Sequence, residues 1–207
     1  MSGAVIAERC QGVSPALLDG YQGVAASTLG HLGSEGFLRG IKPLFTPVRL
    51  LGNVVTVRLD APDGAIVREA LLLSAPGDVL VLQCAGDAEC GCWGELRTLA
   101  GLIKGLAGVV VCGAVTDSAA LREHGLPVFS RGVSAYTTRS LGQGGEVNGT
   151  LRIGETMVRP GDLALGDDDG VYVLDPQQAQ RWLPTALAKE HADRQRRDAL
   201  LRRWRSA

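Results

Sequence analysis

GDAECGCWGELRTLAGLIKGLAGVVVCGAVTDSAALREHGLPVFSRG, residues 86–132, contains the alternation that decides the fold. Glu95 to Lys104 reads as a small-residue helix opened by Gly94, and Gly108 to Cys112 as a buried strand that Gly113-Ala114-Val115 extends. Asp117 follows in a tight turn, Ser118 to His124 forms a second helix stopped by Gly125, and Pro127 to Ser130 starts another strand. Helix, strand, helix and strand in succession define α/β architecture.

The pattern extends upstream. Ala75-Pro76-Gly77-Asp78 is a strong turn signal leading into the strand Val79 to Gln83, and Asp63 to Leu73 is a short helix. Val48 to Leu59 alternates as a strand, and Pro15 to Gly33 has helical spacing, with Ser27-Thr28 offering a cap for Leu29 to Leu32. Downstream, a glycine-rich loop spans Leu141 to Gly149, and Leu151 to Ile153 pairs with Met157-Val158 as a hairpin. Pro160-Gly161-Asp162 repeats the earlier turn before the strand Leu163 to Leu165. Asp167-Asp168-Asp169-Gly170 then turns into Val171 to Leu174, and Pro176 to Trp204 is one long helix, basic towards its end. No linker divides the chain, so residues 1–207 are expected to form a single domain.

With 207 residues, the chain can bury a substantial core. A net charge of −1 gives no global field to draw it to nucleic acid or an anionic membrane. The longest apolar runs, such as Leu106 to Val111, are too short to cross a bilayer. The start from Met1 to Cys10 lacks a secretory pattern, and five cysteines without framework spacing suit reduced thiols, so a cytoplasmic location is expected. Cys90 and Cys92 lack the further ligands of a closed zinc site.

Several residues carry chemistry, each beside a plainer reading. Asp117 lies beyond a strand C-terminus, where α/β proteins place reactive groups, yet aspartate is also a favoured helix N-cap. Glu95 suits the positive end of a helix, while the amides of Glu95 and Leu96 can receive a carboxylate with Gly94 permitting close approach. Asp167 to Asp169 read as a solvated turn, because the glutamate closing a calcium loop is absent. His31, His124 and His191 form no ligand spacing and read as surface residues. The basic tail Arg194 to Arg205 reads as a solvated helix, and nucleic-acid binding is not expected.

Pro76-Gly77-Asp78-Val79-Leu80-Val81, Trp93-Gly94-Glu95-Leu96, Gly113-Ala114-Val115-x-Asp117, Pro127-Val128-Phe129 and Pro160-Gly161-Asp162 with Asp167-Asp168-Asp169-Gly170-Val171 occur together in order. This set resembles the regulator of ribonuclease activity A family, which includes the 4-hydroxy-4-methyl-2-oxoglutarate aldolases. The resemblance implies a layered α-β-β-α sandwich of the swivelling β/β/α kind with a long C-terminal helix. It also implies a homotrimer or hexamer with sites between subunits, and magnesium or manganese acting on a 2-oxo acid.

By position, the resemblance makes Asp117 the metal anchor and the amides of Glu95 and Leu96, opened by Gly94, a pyruvate-carboxylate cradle, with Thr116 beside it in the substrate site. Glu95 becomes an acid/base group, and Glu190 and Asp193 become acidic residues that reach a neighbour's metal site. Thr116 stands where the aldolase pattern has arginine. It supplies one neutral hydroxyl in place of a charged donor, a loss worth about 3 kcal/mol at a developing oxyanion. Arg97, one helical step along from Glu95, and Arg131 are the candidates to lean into the same cleft, beside plainer readings as a surface helix residue and a structural loop residue. The implied function is a metal-dependent lyase, by aldol cleavage or oxaloacetate-type decarboxylation through pyruvate enolate, with a substrate altered by Thr116. The alternative is a non-catalytic regulator that binds a ribonuclease or another protein.

Overall fold

In the computed structural model, which describes residues 3–206, eleven strands and six helices build the fold. They are β1 (Val5–Ile6), α1 (Pro15–Gly20), α2 (Ala26–Gly30), β2 (Lys42–Pro43), β3 (Leu50–Asp60), α3 (Ile66–Leu73), β4 (Asp78–Ala85), α4 (Glu95–Lys104) and β5 (Gly108–Val115). The remainder are α5 (Ser118–His124), β6 (Val128–Val133), β7 (Glu146–Val147), β8 (Leu151–Ile153), β9 (Thr156–Val158), β10 (Leu163–Asp167), β11 (Gly170–Leu174) and α6 (Pro176–Arg205).

Strands β3, β4, β5 and β6 are parallel neighbours, joined in turn through α3, α4 and α5. Their near-continuous apolar runs follow from burial on both faces. On β4, Leu80 and Leu82 point to one cluster with Val109, Val111, Trp93 and Leu121, beneath the helices. Val79 and Val81 point to the other, with Leu151, Ile153, Val158 and Val173. That second layer comes from the β8–β9 hairpin and the β10–β11 pair, which joins β3 antiparallel through β10. A third cluster packs α1, α2 and α6 against β10 and β11 through Tyr21, Leu29, Leu163, Leu174 and Ala179. The layers run helix, sheet, sheet, helix, and the long C-terminal helix closes the chain.

The expected helical stretch from Pro15 to Gly33 is two short helices with fully buried Tyr21 between them. Ser27 and Thr28 do not cap the second one. The N-terminal amides of α2 find distant carboxylates instead: Ala25 donates to Glu190 Oε1 at 3.0 Å and Ala26 to Asp167 Oδ2 at 2.7 Å. Helix α6 has its last buried residue at Ala186, so its final turns extend past the core. Among the described residues, no helix is long and apolar enough to cross a membrane.

Candidate active site

The C-terminal end of β5 meets the N-terminus of α4, as the rule for ligand crevices in open α/β sheets requires. Extended residues before α4 run beside β5: the Cys92 amide donates to Ala114 O at 3.1 Å and the Thr116 amide to Trp93 O at 2.8 Å. Buried Trp93 is fixed from below by its indole donating to Thr98 Oγ1 at 2.8 Å. These bonds set Gly94 against the turn at Thr116 and Asp117. A Cβ built on Gly94 would lie 2.4 Å from Asp117 Oδ2 and 2.8 Å from Thr116 Cγ2, so only glycine allows this approach.

Asp117 has φ 53° and ψ 38°, a left-handed conformation uncommon for a side-chain-bearing residue. It occupies the N-cap position of α5, yet its carboxylate makes no cap hydrogen bond there. It reaches across to α4, where Oδ2 accepts from the Glu95 amide at 3.0 Å. Oδ1 accepts from the Thr116 hydroxyl at 3.2 Å. The plain N-cap reading of Asp117 therefore gives way to a carboxylate bound over the positive end of the neighbouring helix.

Around it lies a cleft of about 160 Å³, lined by Trp93, Gly94, Glu95, Leu96, Arg97, Thr116, Asp117, Thr137 and Thr138. Six of the residues singled out from sequence thus converge on one place. Arg97 lines the cleft, but its guanidinium is directed to protein oxygens: Cys92 O, Gly64 O at 2.9 Å and Thr138 Oγ1 at 3.3 Å. Burial pulls its pKa below the usual arginine value, against the opposing influence of Cys92 and Asp63. Arg131 opens instead onto a separate cavity with Glu89 and Ser134, its Nε donating to Cys112 Sγ at 3.4 Å.

Glu190 and Asp193 lie on α6, away from this cleft within the chain. Glu190 Oε1 accepts from the Ala25 amide and from Thr28 Oγ1 at 2.6 Å, while Asp193 pairs with Lys189 at 2.7 Å. One site residue escaped the sequence reading. His124, expected at the surface, is half-buried with Nε2 3.2 Å from Glu95 Oε1. Only the packing of α5 on α4 joins these residues, so no spacing signal could have found the pair.

The donor set is hard oxygen. Each Asp117 oxygen carries one hydrogen bond, and the residue is exposed, which leaves lone pairs free for a cation. One protein carboxylate with water completing the shell suits magnesium or manganese. Among the described residues, no group of three His, Cys, Asp or Glu side chains converges as a closed metal cage.

Residues 15–173 match the RraA-like family, described as aldolase/RraA. The chain belongs to that family. A Halalkalibacterium halodurans protein named "Putative 4-hydroxy-4-methyl-2-oxoglutarate aldolase" is 34% identical over 160 residues, 77% of this chain and 76% of that protein. Among solved structures, Streptomyces coelicolor RraAS2, described as an unusual member of the RNase ES inhibitor RraA family, superposes with a TM-score of 0.79. It is 26% identical, with 91% of this chain and 98% of that one covered. The RNA-processing inhibitor RraA from Thermus thermophilis matches with a TM-score of 0.64 at 31% identity, covering 72% of this chain and 91% of that one. The RraA-like family thus includes both relatives named as aldolases and relatives named as inhibitors of RNA processing.

Proposed function

We propose that this RraA-like chain is a divalent-metal-dependent lyase acting on a 2-oxo acid, by aldol cleavage or decarboxylation of an oxaloacetate-type acid. The observation that carries this reading is Asp117: a left-handed aspartate whose carboxylate spans the N-terminus of α4 beside Glu95. Asp117 would hold magnesium or manganese, and the bound ion supplies Lewis acidity towards the substrate's keto oxygen. The α4 N-terminus attracts the substrate carboxylate. Its Leu96 amide remains for that group, since the Glu95 amide already serves Asp117. Glu95 exchanges the proton, at a carboxylate oxygen within reach of the cleft. Thr116 adds no donor for substrate, because its one hydroxyl hydrogen goes to Asp117 Oδ1.

The implied homotrimer or hexamer is supported by α4 itself. Leu96, Leu99, Leu102 and Ile103 are exposed beside the cleft, Leu96 by 81% and Ile103 by 89%, a stripe suited to cover by another subunit. In that assembly Asp193 is the better placed of the two α6 carboxylates to reach a neighbour's cleft, since Glu190 is bound to α2 of its own chain. A regulatory role through protein contact has its own supporting observation. Exposed Leu200, Leu201 and Trp204 share one face of α6 with Arg196 and Arg197, beyond the core.

The deciding experiment is pyruvate release from oxaloacetate with and without magnesium or manganese, in wild type and Asp117→Ala. The lyase reading expects metal-dependent release that disappears in the variant. Release no faster than with metal alone would overturn it in favour of the regulatory reading.

A further inference from the structure

Glu95 is the first residue of α4 and its side chain is 46% exposed. A long carboxylate in that position samples several rotamers, and a base works only when held within hydrogen-bond reach of its proton. One side chain restrains it. His124 is the last residue of α5, where Gly125 in a left-handed conformation stops the helix, and its Nε2 lies 3.2 Å from Glu95 Oε1. The packing of α4 on α5 brings the side chain at the positive end of one helix within reach of the side chain at the negative end of the other. A glutamate at the first and a histidine at the second each complement their own helix, so the pair is favourable from both sides. Oε2 of Glu95 has no hydrogen-bond partner among the described residues.

We propose that His124 is a positioning residue for Glu95: with Nε2–H donated to Oε1, it fixes the carboxylate so that Oε2 faces its proton-transfer task in one geometry. This inference rests on the lyase reading and extends it to a residue outside the cleft lining. Histidine and glutamate stand 29 positions apart, and neither contacts the other without the tertiary fold.

The test compares His124→Leu, His124→Gln, Glu95→Gln and the double variant His124→Leu/Glu95→Gln in steady-state oxaloacetate decarboxylation with magnesium or manganese. His124→Leu should lower kcat about tenfold or more while KM stays within about twofold, as expected for a displaced catalytic group. His124→Gln, whose amide nitrogen replaces the imidazole donor, should recover most of the loss. Adding His124→Leu to Glu95→Gln should cost nothing further, since the group it positions is already disabled. The inference is overturned if His124→Leu keeps full kcat, if leucine and glutamine are equally impaired, or if the two losses simply multiply. Wild type that turns over with an indifferent His124 overturns this inference alone. Wild type without turnover above the metal background overturns the lyase reading and this inference together.

Discussion

At the scale of single residues, the site is set by what Gly94 lacks and Thr116 cannot supply. The absent Cβ lets Asp117 lie against the start of α4, and that contact draws the Thr116 hydroxyl to the same carboxylate. A side chain at position 116 is thus half-buried and next to the metal-binding candidate, but it offers the substrate neither charge nor proton. Thr116→Arg should therefore raise metal-dependent decarboxylation, on the order of a hundredfold where an oxyanion gains a charged donor. Steady-state kinetics at saturating magnesium checks this, and a variant slower than wild type while still folded would show that the site has been rebuilt around threonine. The convergence of Gly94, Glu95, Leu96 and Asp117 was legible because each sits at a helix or strand end that the sequence marks. The engagement of Arg97 with Gly64 O and Thr138 was not, since those partners come from distant loops.

At the scale of elements, the repeated Pro-Gly-Asp turns show how identical local chemistry acquires different electrostatics. In each, the aspartate accepts the amide three residues earlier, Ala75 to Asp78 and Arg159 to Asp162, both at 2.7 Å. Asp78 also has Arg9 at 2.6 Å, whereas Asp162 is 2% exposed with no ion pair among the described residues. Burial pushes the Asp162 carboxyl from 3.8 to about 6, against the pull of Arg159. A carboxyl with a raised folded pKa binds its proton more tightly folded than unfolded. Stability therefore falls as pH rises from about 4 to about 6 and stays lower above that window.

The full swing is about 3 kcal/mol, and Asp162→Asn removes it. Urea unfolding at several pH values should show the variant gaining on wild type across this window, and a difference independent of pH would refute the assignment. Asp63 works in the opposite sense. Burial alone would raise it, but the amides of Ala65, Gln143, Leu141 and Gly142 together hold it below the ordinary range, so its contribution is lost in acid. The turns and the central α4–β5–α5 run could be read from sequence, where periodicity and breakers agree. Strand β7 could not, because its two residues sit at the end of a glycine-rich loop and are strand only by pairing with β1 and β3.

At the scale of the whole molecule, the distribution of charge and apolar surface bears on assembly. Helix α6 carries eight Arg and Lys against three Asp and Glu, while the chain as a whole is −1, so the remainder is distinctly acidic. A basic helix running past an acidic body suits contact between copies, and the exposed stripe on α4 places a second apolar surface at the mouth of the cleft. If neighbouring subunits cover that stripe, a charge placed in it must disrupt assembly and activity together. Ile103 is the cleanest position, since it is 89% exposed and therefore contributes little to the fold of its own chain. Ile103→Glu should leave the helical circular dichroism and thermal midpoint nearly unchanged, as surface substitutions away from special features usually do. In analytical ultracentrifugation it should shift the protein from the proposed trimer or hexamer towards monomer, with turnover falling in parallel if the cleft lies between subunits as proposed. A variant that remains assembled would place the subunit contact elsewhere. One that dissociates yet retains full turnover would show that Asp117, Glu95 and His124 complete the site within a single chain.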